Sequence, residues 1–224
     1  MLKTIAVLAT LFFLASAAIA QDRRFDFSVS ANALFTSQVS GNEITQTATD
    51  GAGLFATIRV RFNPKHSFVF NYGRDKNSQI YRSIQDFHVL ANISEYSGAY
   101  MFTPFKKGHF EPFLLAGVGA LRFSPRTTWV FLPPLEPPQG NNTPDNIQIN
   151  LHAAKQTQLA FLYGLGVDYQ LPKFHRFALR FQYRGFLYKA PDFKIDAGSG
   201  SDVSLFTGAR SHMAEPSAGL VFRF

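Results

Sequence analysis

The stretch MAEPSAGLVFRF, Met213 to Phe224, decides how the rest of the chain is read. Taken as a β-strand it sends successive side chains to opposite faces. Ala214, Pro216, Ala218, Leu220, Phe222 and Phe224 then share one face, while Glu215, Ser217, Gly219, Val221 and Arg223 share the other. One face is apolar and the other holds both charges. A strand divided this way separates an apolar medium from a polar one.

Working back from that end, the same alternation recurs. Arg176 to Tyr188 sets Phe177, Leu179, Phe181, Tyr183 and Leu187 against Ala178, Arg180, Gln182 and Arg184. Thr157 to Leu171 sets Leu159, Phe161, Tyr163, Leu165, Val167 and Tyr169 against Gln158, Ala160, Gly164, Gly166 and Asp168. Phe110 to Phe123 is small on both faces around Ala116, Gly117, Gly119 and Ala120. Gln85 to Phe102 begins with Phe87, Val89, Ala91 and Ile93 facing away from Asp86, His88, Leu90, Asn92 and Ser94. Glu95 then falls on the apolar side while Tyr96, Tyr100 and Phe102 fall on the polar one, so a bulge near Glu95 is expected. Ser67 to Arg74, Ala52 to Phe62 (with Arg59 and Arg61 on its polar face) and Phe25 to Phe35 (with Asp26) complete eight expected strands.

Composition narrows the function classes. The chain has 224 residues, 46% hydrophobic, with 25 Phe, 8 Tyr and no Cys. Abundant aromatics favour sheet, and the absence of Cys removes disulfides, thiolate metal sites and Cys nucleophiles. After residue 20 no apolar run approaches the roughly 18 to 20 residues that a membrane helix needs. The net charge of +7 is dispersed as single Arg and Lys residues, with clusters only at Arg23–Arg24 and Lys106–Lys107. Nucleic acid is therefore not an expected partner. Met1 to Ala20 has Lys3, an apolar core from Ile5 to Ala15 and small residues at its end, the pattern of a cleavable signal peptide. The mature domain is expected to span 21–224.

Eight alternating strands also describe a soluble lipocalin-like barrel, and side-chain bulk chooses between the two. The apolar face carries Phe25, Phe27, Phe35, Phe62, Phe68, Phe70, Tyr72, Phe87, Phe161, Tyr163, Tyr169, Phe177, Phe181, Tyr183, Phe222 and Phe224. These would overfill an eight-stranded lumen, but they fit against lipid. Connections give an independent indication. Long stretches at 36–50, 75–84, 124–156 and 189–212 alternate with short turns at 63–66, 103–108 and after Pro172, as long outer loops alternate with short periplasmic turns. The run Leu132-Pro-Pro-Leu-Glu-Pro-Pro is expected to be a stiff surface loop.

The pattern Ser217-x-Gly219-x-x-Phe222-x-Phe224 resembles the C-terminal recognition signal for assembly of bacterial outer-membrane β-barrels. Over 21–224 the chain resembles the OmpA-like small outer-membrane barrel family. That resemblance implies an all-β, antiparallel up-and-down transmembrane barrel surrounded by outer-membrane lipids. It also implies passage through periplasmic chaperones and the barrel-assembly machinery.

The inward set is expected to be Asp26, Arg59, Arg61, Asp86, His88, Asn92, Asp168, Arg180, Gln182, Arg184, Glu215 and Arg223. Mixed signs in a narrow barrel suggest ion pairs that plug it, with Arg184 and Glu215 as one pair on neighbouring strands. The alternative for the same charges is a narrow path for small or lipophilic solutes. A third class is a lipid A-modifying enzyme. The deacylases of that class need a His and a Ser two residues apart, whereas His212 is followed by Met213 and Ala214, and Ser211 beside it faces the other way. His66, His88, His109, His152 and His175 are single, with no partner at i, i+2, so neither a metal nor a cofactor is expected.

Overall fold

The computed structural model describes residues 24–83, 86–132, 147–196 and 202–224. The expected signal peptide and, past Leu132, the Pro-rich run lie outside the described residues. The described chain forms β1 (Phe25–Thr36), β2 (Val39–Gly41), β3 (Ile44–Ala48), β4 (Gly51–Arg61), β5 (His66–Arg82), β6 (Asp86–Phe102) and β7 (Phe110–Leu132). It continues with β8 (Ile147–Ala153), β9 (Gln156–Gln170), β10 (Phe177–Lys189), β11 (Lys194–Asp196), β12 (Asp202–Ser204) and β13 (Arg210–Arg223).

Eight of these strands close into a ring in the order β1, β4, β5, β6, β7, β9, β10, β13, each antiparallel to its neighbours. The seam joins β13 to β1, from Asp26 opposite Arg223 to Thr36 opposite Met213. Closure pairs the backbone groups that an open sheet edge would leave bare, which a hydrocarbon environment cannot satisfy. The short strands decorate the long-loop end: β2 and β3 form a hairpin on β5, β8 pairs with β7, and β11 and β12 continue from β8. The expected loop at 75–84 is largely strand, since β5 runs on to Arg82 and stays paired with β6 as far as Asp86. The expected loop at 124–156 likewise opens with the rest of β7 and ends with β8.

The outer wall is apolar and bare. Phe35, Phe62, Phe68, Phe70, Tyr72, Phe161 and Phe181 are exposed along with Leu54, Ile58, Leu114 and Leu165, and Leu159 reaches 83% exposure. A continuous belt of this kind far exceeds the scattered apolar surface of a water-soluble monomer, and acyl chains are the solvent that matches it. Aromatic pairs gather at the short-turn end, where Phe62 meets Phe68 edge-on at 5.3 Å and Phe222 lies between Phe177 at 5.2 Å and Phe224 at 4.8 Å.

Strand β6 corrects the sequence expectation. Its pairing with β5 runs unbroken from Asp86 to Phe102, with no bulge at Glu95. Val89, Ala91, Ile93 and Glu95 face inward and are buried, whereas Tyr96 and Tyr100 face outward. Asp86, His88 and Asn92 therefore lie on the outer face of the wall, not in the lumen. Phe87 is partly buried against the inner apolar cluster and does not join the outer belt. The irregularity sits instead on β7, where Leu90 pairs with Thr127 and Ala91 with Pro125, leaving Arg126 as the extra residue. A proline has no N–H to offer the ladder, so a bulge beside Pro125 is where the register can slip.

Candidate functional site: the barrel lumen

Alternation along the ring strands sends their charged residues into the lumen in two layers. The layer nearer the short turns is built on three carboxylates. Asp168 on β9 accepts from Arg180 Nε at 2.7 Å and Nη2 at 2.9 Å, from Arg59 Nη1 at 3.2 Å and from Arg223 Nη2 at 3.5 Å. Glu111 on β7 takes both terminal nitrogens of Arg223, at 3.0 and 2.8 Å, and pairs with Lys106 Nζ at 2.7 Å. Asp26 on β1 accepts from Arg61 Nε and Nη2 through one oxygen, at 3.1 and 2.8 Å. These fork-shaped contacts are the strong form of the interaction, because a planar guanidinium presents two N–H groups to one carboxylate.

The second layer lies deeper along the barrel. Arg184 on β10 gives Nη1 and Nη2 to Glu95 on β6 at 3.0 and 2.8 Å, and Nη2 to Glu215 on β13 at 2.5 Å. Its guanidinium carbon also lies 3.8 Å from the centre of the Phe55 ring. Asn32 Nδ2 donates to Asp75 Oδ1 at 2.8 Å and to Glu215 Oε1, tying β1 to β5 and β13. Glycines make room for these side chains. Gly73 lies opposite Glu95, and Gly164 opposite Arg184.

Arg59 and Asp168 show what the arrangement does. Their strands, β4 and β9, stand four places apart in a ring of eight, so the 3.2 Å contact crosses the whole lumen. Both side chains are buried. Such charges are costly to bring out of water and stay only where partners surround them, so they hold one another in place across the bore. A hollow of about 480 Å³ enters from the short-turn end, lined by Arg24, Phe62, Lys65 and Lys106, and meets Arg61 and Glu111. Beyond the second layer an apolar cluster fills much of the interior, beside the buried amides of Asn77 and Gln79. Leu34, Tyr81, Ile93, Leu121, Phe123, Leu162, Phe186 and Met213 pack with Phe193, Ile195 and Leu205 from the last long connection. Tyr81 Oη donates to the Pro191 carbonyl at 2.9 Å, fastening that connection to the barrel.

The structure brings Asp26, Arg59, Arg61, Asp168, Arg180 and Arg223 into the first layer, and Arg184 with Glu215 into the second. Asp86 is exposed, 3.9 Å from Arg82, and His88 stacks on Trp129 at 5.3 Å on the outer face. Three lumen carboxylates, Glu95, Glu111 and Asp75, are absent from the sequence-derived set. Continuing the parity of Asn71 and Gly73 would have found Asp75, and Glu111 alternates with Phe110 and Pro112 in the same way. His212 bonds through Nε2 to Tyr163 Oη at 2.8 Å outside the wall, whereas Ser211 is buried on the inner side. At the seam, Ser217 and Gly219 lie on the inward side of β13, and Phe222 and Phe224 lie on the outer one.

No family model matches the chain, and no curated protein matches it. Solved structures do. The outer membrane protein OprG from Pseudomonas aeruginosa superposes with a TM-score of 0.55 at 14% identity, over 90% of this chain and 96% of that one. Neisserial surface protein A, NspA, gives 0.48 at 18% identity, over 88% and 97% of the two chains. Outer membrane protein AlkL, solved in DMPC lipid bilayers, gives 0.49 at 13% identity over 90% of each. The likeness to OprG establishes the fold. This chain folds as a small eight-stranded outer-membrane barrel, and its lumen contains buried ion pairs.

Proposed function

We propose that this protein is an integral barrel of the bacterial outer membrane with a structural or surface-interaction role, its lumen held shut by ion pairs. The carrying observation is the Arg59–Asp168 contact, which joins opposite walls at 3.2 Å. The buried apolar cluster above Arg184 supports the same conclusion from the other end, since a bare ion is costly to bring into apolar surroundings. On this reading the signal peptide is removed after Ala20, leaving Gln21 first. Chaperones and the barrel-assembly machinery then receive the chain through Ser217, Gly219, Phe222 and Phe224. The long connections face outward as the interacting surface, and no catalytic role is assigned.

Planar-bilayer recording of the purified protein tests the closed lumen. The expected trace stays at the bare-membrane baseline under applied voltage. Steady unitary currents from the wild-type barrel would overturn the plug in favour of a narrow solute path.

A further inference from the structure

Outward-facing positions change chemistry abruptly on leaving the apolar belt. On β5 the series Phe68, Phe70, Tyr72 gives way to Arg74 and Lys76, and on β7 Val118 and Ala120 give way to Arg122. The register places Arg74, Ser94 and Arg122 in one row across β5, β6 and β7, with Thr157 of β9 next in line. Lys76, Asn92 and Ser124 form the row above. The Tyr72 and Tyr96 rings, 5.2 Å apart, form the row below, at the level where aromatic side chains mark a membrane interface. Strands pair at about 4.8 Å, so the two guanidinium-bearing backbones stand roughly 10 Å apart with a hydroxyl between them. Among the described residues no carboxylate neutralises Arg74, Lys76 or Arg122, whereas the lumen arginines Arg59, Arg61, Arg180, Arg184 and Arg223 are all paired.

We propose that this outer patch of β5, β6 and β7 binds the headgroup of a lipid carrying more than one phosphate in the leaflet on the long-loop side. The inference rests on the membrane-barrel reading and adds the ligand class to it. The lipid's acyl chains lie on the belt beside Phe70 and Val118. Arg74 and Arg122 take the phosphates, and Lys76, Ser94 and Asn92 donate around them. Cations at this level, freed of internal partners and followed directly by lipid-facing residues, meet phosphate and little else. Charge complementarity and continuity with the belt single out a membrane lipid over a soluble partner.

The test uses the full mature barrel in phosphatidylcholine nanodiscs doped with diphosphoryl lipid A, with lipid retained after detergent exchange counted by native mass spectrometry. At about fivefold per charge, the variant R74Q/K76Q/R122Q should retain lipid A roughly a hundredfold more weakly than wild type. The single-charge control K173Q, in an exposed turn at the opposite end, should retain it as wild type does. Unchanged retention by the triple variant overturns the proposal. Phosphatidylglycerol retained as strongly as lipid A, or displacement by inorganic pyrophosphate at equal concentration, overturns the assignment to a multiply phosphorylated lipid. Insertion into plain phosphatidylcholine vesicles, read by heat-dependent gel mobility, separates the two levels of failure. A wild type that does not insert sinks the membrane barrel itself. A triple variant that inserts normally yet holds lipid A unchanged sinks only the patch.

Discussion

Arg184→Met removes the one cation of the deeper charge layer, and its consequence can be worked out from the structure. The side chain is 1% exposed and supplies two bonds to Glu95 and one to Glu215. Methionine replaces most of the aliphatic stem though not the guanidinium that lies over Phe55, so the cavity contribution is small and the electrostatic loss dominates. Breaking one buried pair by removing a partner costs about 3–5 kcal/mol, and here two carboxylates lose the same partner, with Asp75 close by through Asn32. We therefore expect a loss of about 4–5 kcal/mol, at the upper end of that range. Removing all three ions together, in Arg184→Met/Glu95→Gln/Glu215→Gln, should restore stability to within about 1 kcal/mol of wild type, because the desolvation penalty disappears with the attraction. Urea unfolding of vesicle-inserted protein reads this out through Trp129, the single tryptophan. A loss below about 1 kcal/mol for the single variant, the worth of an exposed pair, would refute the reasoning. So would a neutral triple variant no more stable than the single one.

Asp168→Asn withdraws the charge that Arg59, Arg180 and Arg223 share, and should cost about 3–5 kcal/mol in the same urea titration. Gly53→Val puts a Cβ 1.9 Å from Asp75 Oδ1 and 2.4 Å from the Arg74 carbonyl oxygen, and the backbone oxygen has nowhere to move. Overpacking of this kind should cost about 1–3 kcal/mol, seen as a lowered midpoint without lost heat-dependent mobility. Phe224→Ala should lower the amount of barrel assembled in cells while leaving spontaneous insertion into vesicles unchanged; equal loss in both would assign Phe224 to packing on Phe222 and not to recognition. The absence of native cysteine permits single spin labels along the outward positions of β6. Accessibility should switch from apolar oxygen to a water-soluble relaxation agent between Tyr96 and Ser94, and a switch elsewhere would displace the membrane boundary from the cation row.

Much of the barrel was legible because its signal is local. Period-two alternation in β1, β4, β9, β10 and β13 fixes which side faces lipid, and the bulk of Phe and Tyr on that side is too great for a lumen to hold. Most of the first charge layer was legible for the same reason, since Asp26, Arg59, Asp168, Arg180 and Arg223 each sit on a strand whose phase is unambiguous, whereas Glu111 was not found. The partner of each charge was not. Arg59 meets Asp168 across the full ring, 109 positions away in sequence, and that pairing depends on closure and stagger, which no local pattern encodes. The apolar upper cluster was also hidden, because Phe193, Ile195 and Leu205 belong to a connection whose polar composition gives no sign that it folds back over the bore.

The β6 reversal has a physical cause that accounts for the other long strands as well. Within the belt the surroundings are lipid outside and charge inside, so Tyr96 and Tyr100 point out while Glu95 and Ser97 point in. Past the belt the strand continues with water outside and an apolar cluster inside, so Ser94, Asn92 and His88 point out while Ile93, Ala91 and Val89 point in. The backbone keeps its alternation and both solvents change places, which in a one-dimensional pattern looks like a one-residue slip. On β5 the outer side changes in the same way, from Tyr72 to Arg74 and Lys76, while Asp75, Asn77 and Gln79 keep the inner side polar as far as Tyr81. On β7 the outer side passes from Leu114 to Arg122 over an inner side already apolar at Phe113 and Leu115, and on β13 the pattern runs from Leu220 outward and Arg223 inward to Arg210 outward and Met213 inward. On β5, β6 and β7 the outer face turns polar along one register row, Arg74, Ser94 and Arg122, and a bulge in each would have had to coincide by chance. A bulge is present on β7 alone among the pairings of these strands, and it lies at Arg126, beyond the level where Arg122 has already changed sides. The phase change is therefore set by the medium and not by the backbone, and it marks the upper edge of the membrane-facing wall at Tyr72, Tyr96 and Ala120, directly beneath the row of cations.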